Sequence, residues 1–328
     1  MTLYKGIQGF SVQNLSTDPT DANQGQVWYN STSNVWKVTD ASTTTSWATG
    51  NNLNTAKVIH AGAGTQTAAV SIGGAPLPLA SEEYDGTSWT TSNFMNTGRK
   101  ELAGCGIQTA ALGFGGDLGP GTAITAATEE YDGNSWVNSN SLNTARKDLA
   151  GCGTQTAGLG FGGYINGTTF TAATEEYDGA TWSSNPTGLN TARRKLGGVG
   201  TQTAGLAFGG ELLPGATSGA TEEYNGTSWT SNPTSLNTAR NYLAGAGTQT
   251  AALAFGGSTG TATGATEEYD GSVWTSNPTG LNTARLAFAG CGTQTVGLAF
   301  GGDPAPTATA TEEYTGAGAP TTVTITAS

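Results

Sequence analysis

Six copies of one unit occupy most of this 328-residue chain. Each copy opens with Leu-Asn-Thr-Ala-Arg or a close variant, continues to a Gly-Gly pair and then reaches Glu-Glu-Tyr. Consecutive openings are 42, 47, 47, 47 and 45 residues apart, as measured between Asn54, Asn96, Asn143, Asn190, Asn237 and Asn282. Self-similarity at such a period is typical of solenoids, arrays and propellers, in which one supersecondary unit packs on its neighbours.

Each copy contains four short apolar runs that are separated by turn residues. In the third copy these runs are 149–153, 157–163, 173–177 and 181–183. The dipeptide Asp178-Gly179 between the last two runs predicts a hairpin, because glycine supplies the positive φ that a primed turn needs. No segment repeats its apolar residues at helical spacing over the length of a helix. We therefore predict an all-β chain with four strands per copy and almost no helix.

The order of signature residues in each copy resembles the kelch repeat. In the third copy the cation, the Gly-Gly pair, the tyrosine and the tryptophan are Arg146, Gly162-Gly163, Tyr177 and Trp182. The resemblance covers residues 44 to 315 and implies a six-bladed kelch-like β-propeller. The 51 glycines of the chain suit inner strands that crowd around a central channel. A propeller is a platform for unrelated activities, so the resemblance says little about function.

The repeat boundaries divide the chain into four predicted segments. These are an extended arm over 1–24, a β-hairpin over 25–42, the propeller over 43–316 and a C-terminal strand over 317–328. The sixth copy has no tryptophan after Tyr314, whereas Trp47 stands in the context of a fourth strand. We favour closure of the ring by the Trp47 strand, and the C-terminal strand is the competing candidate.

The predicted hairpin, with its Trp-Tyr-Asn-x-Thr start and a later tryptophan, resembles a small module of tailed-bacteriophage fibre and other virion proteins. The resemblance implies that the N-terminal region attaches the protein to a larger particle. The alternative is a cap that covers one face or edge of the propeller. The candidate anchoring residues are Tyr4, Phe10, Trp28, Tyr29 and Trp36.

Composition excludes several classes of function. The net charge of −12 argues against binding to nucleic acid and to an anionic membrane surface, both of which attract basic faces. The chain has no apolar run long enough to span a membrane, and its N-terminus lacks the apolar region of a signal peptide. Taken with the resemblance of the hairpin to a virion module, this implies a protein that is made in the host cytoplasm and located in a virion.

The repeated charged residues and the cysteines are predicted to be structural. One glutamate of each Glu-Glu pair should pair with the cation of its repeat, and a cation-binding ring is the less favoured alternative. Cys105, Cys152 and Cys291 share one strand position with alanine and valine, which indicates small core residues. With His60 as the single histidine, we expect no metal site, no cofactor and no catalytic residue.

The loop after Gly-Gly differs in length and chemistry between copies, whereas the other turns hardly change. Variable loops on one face of a rigid scaffold are a common way to build a binding site. Drift in unconstrained loops is the alternative. The candidate contact residues are Leu118, Tyr164, Asn166, Phe170, Leu212 and Leu213.

Taken with the resemblance, these features predict a non-enzymatic binding or structural propeller of a tailed-bacteriophage virion, either on the tail or on the capsid. The partners would be other virion proteins at the N-terminus and a host-surface glycan or protein at the loops, and homo-oligomerisation is left open. One alternative is a non-viral kelch-type scaffold that binds carbohydrate or protein. The other is a polysaccharide-degrading enzyme, which would require a unique polar cluster in the loops or the channel.

Overall fold

The computed structural model describes residues 13–18, 26–41, 44–76, 79–119, 123–166, 169–304, 307–318 and 320–325. These residues form strands and turns, and the one helical segment among them is a 3₁₀ turn at Thr307–Thr309. The prediction of an all-β chain is therefore confirmed. The chain divides into two compact units, which comprise Met1–Thr45 with Thr315–Ser328, and Ser46–Tyr314.

The first unit contains a four-stranded sheet in the order β1-β2-β3-β32. Its strands are β1 (Gln13–Leu15), β2 (Val27–Asn30), β3 (Val35–Ala41) and β32 (Pro320–Ile325). The strands β2 and β3 pair antiparallel.

The anchoring candidates of the first unit differ in exposure. Trp28 is fully buried and its Nε1 donates a hydrogen bond to Asp18 at 3.1 Å, so it serves the core of its own unit. Trp36 packs against Tyr29 and is 46% exposed. Tyr4 and Phe10 lie outside the described residues.

The described part of the second unit contains six four-stranded antiparallel sheets, one for each copy. Sheet 1 consists of β5 (Ala61–Gly64), β6 (Ala69–Ile72), β7 (Ser81–Tyr84) and β8 (Trp89–Ser92). Sheet 2 consists of β9 (Ala103–Ile107), β10 (Ala110–Phe114), β11 (Thr128–Tyr131) and β12 (Trp136–Ser139). Sheet 3 consists of β13 (Ala150–Thr154), β14 (Ala157–Phe161), β17 (Thr174–Tyr177) and β18 (Trp182–Asn185). Sheet 4 consists of β19 (Gly197–Thr201), β20 (Ala204–Phe208), β23 (Thr221–Tyr224) and β24 (Trp229–Asn232). Sheet 5 consists of β25 (Ala244–Gly247), β26 (Ala252–Phe255), β27 (Thr266–Tyr269) and β28 (Trp274–Asn277).

Sheet 6 is assembled from both ends of the second unit. Its strands are β29 (Ala289–Gly292), β30 (Val296–Phe300), β31 (Thr311–Thr315) and β4 (Ser46–Gly50). Asn282 Nδ2 donates to the backbone oxygen of Trp47 at 2.9 Å, as Asn143 Nδ2 donates to that of Trp182 at 2.9 Å. Trp47 therefore occupies the fourth-strand position of this sheet. Two small hairpins complete the unit: β15 (Tyr164–Asn166) with β16 (Thr169–Phe170), and β21 (Glu211–Leu212) with β22 (Ala216–Thr217).

The opening motif of each copy folds into the core of its own sheet. In sheet 3, Arg146 Nη1 donates to the backbone oxygen of Ala173 at 2.6 Å and Nη2 lies 3.2 Å from Glu175 Oε1. Glu175 also accepts hydrogen bonds from the backbone nitrogens of Asn143 and Thr144. The predicted pairing of cation and glutamate is confirmed in all six copies, as Lys57–Glu82, Arg99–Glu129, Arg146–Glu175, Arg193–Glu222, Arg240–Glu267 and Arg285–Glu312.

The second glutamate of each pair joins neighbouring sheets. The hydroxyl of Tyr177 in sheet 3 donates to Glu130 in sheet 2, and the same contact links Tyr84 of sheet 1 to Glu313 of sheet 6. Tryptophan repeats the pattern, because Trp182 Nε1 donates to Thr128 Oγ1 at 2.9 Å. The corresponding pairs are Trp47–Thr266, Trp89–Thr311, Trp136–Ser81, Trp229–Thr174 and Trp274–Thr221.

Candidate binding site on the variable face

Six residues, one per copy, share an uncommon backbone conformation and are called the mouth residues here. Each stands two places after the cation of its copy, and their φ values lie between 49° and 57°. They are Ile59, Glu101, Asp148, Lys195, Tyr242 and Ala287. The backbone N–H of each donates to the carbonyl of the corresponding residue one copy earlier, and Ile59 donates to Ala287.

The mouth residues have a strained backbone conformation, and none of them is glycine, the residue that adopts this conformation without strain. A positive φ is uncommon for residues other than glycine, and for a β-branched residue such as Ile59 it is an outlier. This chain uses glycine at many other positive-φ positions, including Gly153 and Gly179. Strain of this kind clusters at functional sites, where a particular side chain is needed. The six different side chains at this strained position are therefore candidates for a functional site.

Replacement of Ile59 by glycine is expected to raise the free energy of unfolding by about 1 kcal/mol, because the strain of a left-handed β-branched residue is removed. The measurement is urea denaturation of the intact chain. The matched control is Val58→Gly, since Val58 is also β-branched and half-buried but has no positive φ. That change should lower the same free energy by about 1 kcal/mol. Equal losses for both variants would show that the Ile59 backbone is unstrained.

Two further variable positions lie beside each mouth residue. The residue before it forms a β-bridge with the residue that follows Gly-Gly in the same copy. The bridges are Val58–Ala75, Lys100–Asp117, Lys147–Tyr164, Arg194–Glu211, Asn241–Ser258 and Leu286–Asp303. These three positions of each copy together form what we call the variable face.

The variable face contains the charged residues of the second unit that do not belong to the repeated cation–glutamate pairs, Glu-Glu pairs or Asp-Gly turns. Of the 12 Lys and Arg residues, six form the buried pairs and two, Lys5 and Lys37, precede the second unit. The remaining four all belong to the variable face and are Lys100, Lys147, Arg194 and Lys195. Outside the Glu-Glu pairs and the Asp-Gly turns, the acidic residues of the second unit are Glu101, Asp117, Asp148, Glu211 and Asp303, all on the same face.

Ion pairs connect these side chains between copies. Lys147 Nζ lies 2.8 Å from a carboxylate oxygen of Glu101 and 2.7 Å from one of Asp117. Within the fourth copy, Glu211 pairs with Arg194 at 2.8 Å and with Lys195 at 2.7 Å, and Arg194 lies 3.6 Å from Asp148 of the third copy. The network therefore runs across the second, third and fourth copies.

Asp148 is a buried carboxylate of this network. The residue is 8% exposed, and its ion pair with Arg194 has a separation of 3.6 Å. Burial, together with the neighbouring carboxylate of Glu101, raises the pKa of Asp148 to about 6. Among the described residues, none donates a hydrogen bond to its carboxylate.

The structure brings two of the predicted loop residues together. Tyr164 and Phe170 lie on the β15–β16 hairpin with ring centroids 6.2 Å apart. The guanidinium of Arg194 lies 5.3 Å from the Tyr164 ring and 4.7 Å from the Phe170 ring, which is within the range of cation–π interactions.

The other four loop candidates lie apart from this aromatic pair. Asn166 is exposed at the tip of the same hairpin, and Leu212 and Leu213 belong to the neighbouring β21–β22 hairpin. Leu213 is 54% exposed. Leu118 is 44% exposed and lines a separate cleft with Lys100 and Asp117.

The mouth residues surround a depression with a volume of about 140 Å³. Below it the first strands line a channel with small and apolar residues, which begin with Leu102, Leu149, Leu196, Leu243, Phe288 and His60. His60 immediately precedes β5, is 6% exposed and packs its ring 5.5 Å from that of Phe300. It takes the place that leucine has in four copies, which is a packing role.

Protonation of His60 is expected to make the protein less stable in acid. Burial, with the nearby ammonium of Lys57, lowers the pKa of His60 to about 3. The unfolded chain binds this proton below about pH 6.5 and the folded chain does not, so stability is complete above pH 6.5 and falls as the pH decreases. Between pH 7 and pH 5 the loss should be about 2 kcal/mol.

Urea denaturation of wild type and His60→Leu at both pH values measures this contribution. The leucine variant should lack that part of the pH dependence, because leucine fills the same position elsewhere. An identical pH dependence in both proteins would contradict the assignment.

Four functional candidates were missed by the sequence analysis: Glu101, Asp148, Lys195 and Tyr242. A signal was present, because the second residue after each cation differs in all six copies while the third is apolar in five of the six. The comparison of copies had considered only the loop after Gly-Gly. The unique polar cluster that the enzyme alternative requires was therefore overlooked.

Searches for relatives and for metal or membrane features give no match. No protein-family model matches the chain, and no curated protein is significantly similar to it. The described residues contain no cluster of His, Cys, Asp and Glu that could hold a metal ion, and no helix among them is long and apolar enough to cross a membrane. The three cysteines are free and buried, and burial raises the pKa of Cys105 to about 12.

Proposed function

We propose that the six sheets of the second unit are the blades of a closed, kelch-like β-propeller. The contacts that support this run from each copy to the one before it and from the first copy to the sixth, through tyrosine, tryptophan and the mouth residues. Closure also removes open sheet edges, which would otherwise favour aggregation. The mouth residues would then surround the central axis at one end of the channel.

The variable face is a carbohydrate-binding surface, and its function is recognition without catalysis. The observation that supports this is the concentration there of all the charged side chains of the second unit that the repeat does not use. Carboxylates accept hydrogen bonds from sugar hydroxyls, while ammonium and guanidinium groups donate to them. Aromatic rings such as those of Tyr164 and Phe170 cover the apolar faces of sugars. Polar groups that fix orientation beside apolar surface are typical of small-ligand sites.

The first unit attaches this propeller to a virion. The supporting observations are the resemblance of its hairpin to a virion module and the exposed Trp36 on β3. The protein should be found in purified phage particles, and Trp36→Ser should reduce its incorporation. Normal incorporation of a chain that lacks residues 1–42 would contradict attachment through this unit.

A printed glycan array tests the binding function. The wild-type chain is expected to bind a subset of the glycans, and Tyr164→Ala should weaken that binding about tenfold, as loss of an aromatic contact at the centre of an interface does. The matched control is Val137→Ser, because Val137 is 59% exposed on β12, away from the variable face. Absence of binding to any glycan, or equal loss in the control, would refute the proposal.

Incubation with the bound polysaccharide distinguishes recognition from degradation. Chain length and reducing ends are expected to stay constant, as measured by chromatography and a reducing-sugar assay. Release of shorter chains that stops on Asp117→Asn would establish the enzyme alternative instead.

A further inference from the structure

The depression at the mouth is bounded by backbone on every side. The six mouth residues follow one another around it through hydrogen bonds of 2.7 to 3.1 Å between backbone N–H and C=O groups. Its floor consists of the leucines, the phenylalanine and the histidine that stand next in each copy. The depression is open along its axis, so a group at the end of a molecule can enter it.

The wall of the depression has two chemically different halves. Ala287 and Ile59 are neighbours in the ring of hydrogen bonds and form an apolar half. Glu101 and Asp148 follow as an acidic pair, and the ammonium of Lys195 lies 4.4 Å from the centre of the Tyr242 ring. A ligand that fits this wall has one apolar side and one side rich in hydrogen-bonding groups.

The charges around the depression favour a ligand without net charge. The variable face carries charges of both signs in similar number, with the acidic residues Glu101, Asp117, Asp148, Glu211 and Asp303 and the basic residues Lys100, Lys147, Arg194 and Lys195. A cationic ligand would meet the ammonium and guanidinium groups of this set, and an anionic ligand would meet its carboxylates. A neutral polyol can donate to one group and accept from the other.

Asp148 has unused capacity to accept a hydrogen bond. Glu101 and Glu211 lie within 2.8 Å of their cations, whereas the carboxylate of Asp148 lies 3.6 Å from Arg194 and accepts no hydrogen bond from the described residues. It is nearly fully buried and lines the depression. An ionised carboxylate has acceptor sites for several hydrogen bonds, so Asp148 can accept one from a hydroxyl that enters the depression.

We propose that the mouth is the primary subsite for one neutral terminal sugar of a glycan, which enters along the axis and donates a hydroxyl hydrogen bond to Asp148. The apolar face of the sugar lies towards Ile59 and Ala287, and Lys195 and Tyr242 contact its remaining hydroxyls. The rest of the glycan extends outward over the aromatic pair Tyr164 and Phe170. This inference rests on the proposed carbohydrate-binding function and specifies which part of the glycan is recognised.

The test uses the full chain and the methyl glycosides of glucose, galactose, mannose, fucose and N-acetylglucosamine, with binding measured by saturation-transfer NMR and titration. At least one methyl glycoside should bind and should compete with the glycans found on the array. Asp148→Asn should weaken its binding at least tenfold, as expected for a hydrogen bond to a charged acceptor. Asparagine keeps the side-chain volume and tolerates a positive φ, so the fold is retained.

Comparison of single sugars with longer glycans separates this inference from the function on which it rests. Tyr164→Ala should weaken binding of an oligosaccharide more than that of its terminal methyl glycoside, and Val137→Ser should change neither. If oligosaccharides bind but no methyl glycoside does, and Asp148→Asn has no effect, the terminal subsite is refuted while the carbohydrate-binding face stands. If no carbohydrate binds, the proposed function itself is refuted.

Discussion

Replacement of Arg146 by methionine is expected to lower the free energy of unfolding by about 3–5 kcal/mol, since it leaves the carboxylate of Glu175 buried without its cation. Glu175 is 1% exposed, and burial already lowers the pKa of Arg146 itself to about 10. The change also removes donors from the backbone oxygens of Gly160 on β14 and of Ala173, which directly precedes β17. Urea denaturation followed by tryptophan fluorescence measures the loss.

Two further variants show that the loss comes from the unpaired charge. Arg146→Lys should cost less, because the first copy uses Lys57 in this position, where its Nζ donates to the backbone oxygen of Ala80 at 2.8 Å and lies 3.9 Å from Glu82. The double change Arg146→Met with Glu175→Leu should also cost less than the sum of the two single changes. A double variant as unstable as that sum would mean that the two side chains stabilise the sheet independently.

Gly153→Ala is expected to destabilise the protein by about 2–6 kcal/mol, through backbone strain of about 1–3 kcal/mol and overpacking of about 1–3 kcal/mol. Gly153 is the penultimate residue of β13, next to the turn, and has a φ of 102°. A Cβ added there would lie 2.2 Å from the backbone oxygen of Ala157 on the partner strand. The hairpin would have to separate at its first rungs to admit this atom.

Gly260→Ala is the matched control for this prediction. Gly260 has a φ of 109°, close to that of Gly153, but a Cβ added there would meet no atom within 4 Å. The control should therefore show only the strain, about 1–3 kcal/mol. Thermal and urea denaturation of both variants give the difference. Equal losses of stability in the two variants would mean that the hairpin accommodates the added Cβ and that the close contact does not contribute to the destabilisation.

Much of the fold follows from regularities within one copy. The four strands, the Asp-Gly turns and the buried cation–glutamate pair depend on residues of the same repeat, so their recurrence in phase makes them visible in the sequence. At Asp178-Gly179, for example, the glycine has a φ of 89° and the aspartate accepts hydrogen bonds from the backbone nitrogens of Ala180 and Thr181.

The relationships between copies could not be read from the sequence in the same way. The second glutamate of each pair, whose role the sequence left open, accepts from a tyrosine of the next copy. Arg194 was not singled out by the sequence, yet it lies between Tyr164 and Phe170 of the preceding copy. Such contacts depend on the distance and angle at which one sheet packs on another, and the periodicity of a repeat does not contain those quantities.

The repeat by itself determined that this chain is built from four-stranded antiparallel units with small, buried inner strands and internal ion pairs, because each of these depends on spacing along the chain. Only the tertiary structure decided which side chains form a site. It placed Glu101, Asp148, Lys195 and Tyr242, from four different copies, around one depression. The physical reason is that equivalent positions converge when sheets pack side by side, so variation that is scattered along the sequence becomes a single surface.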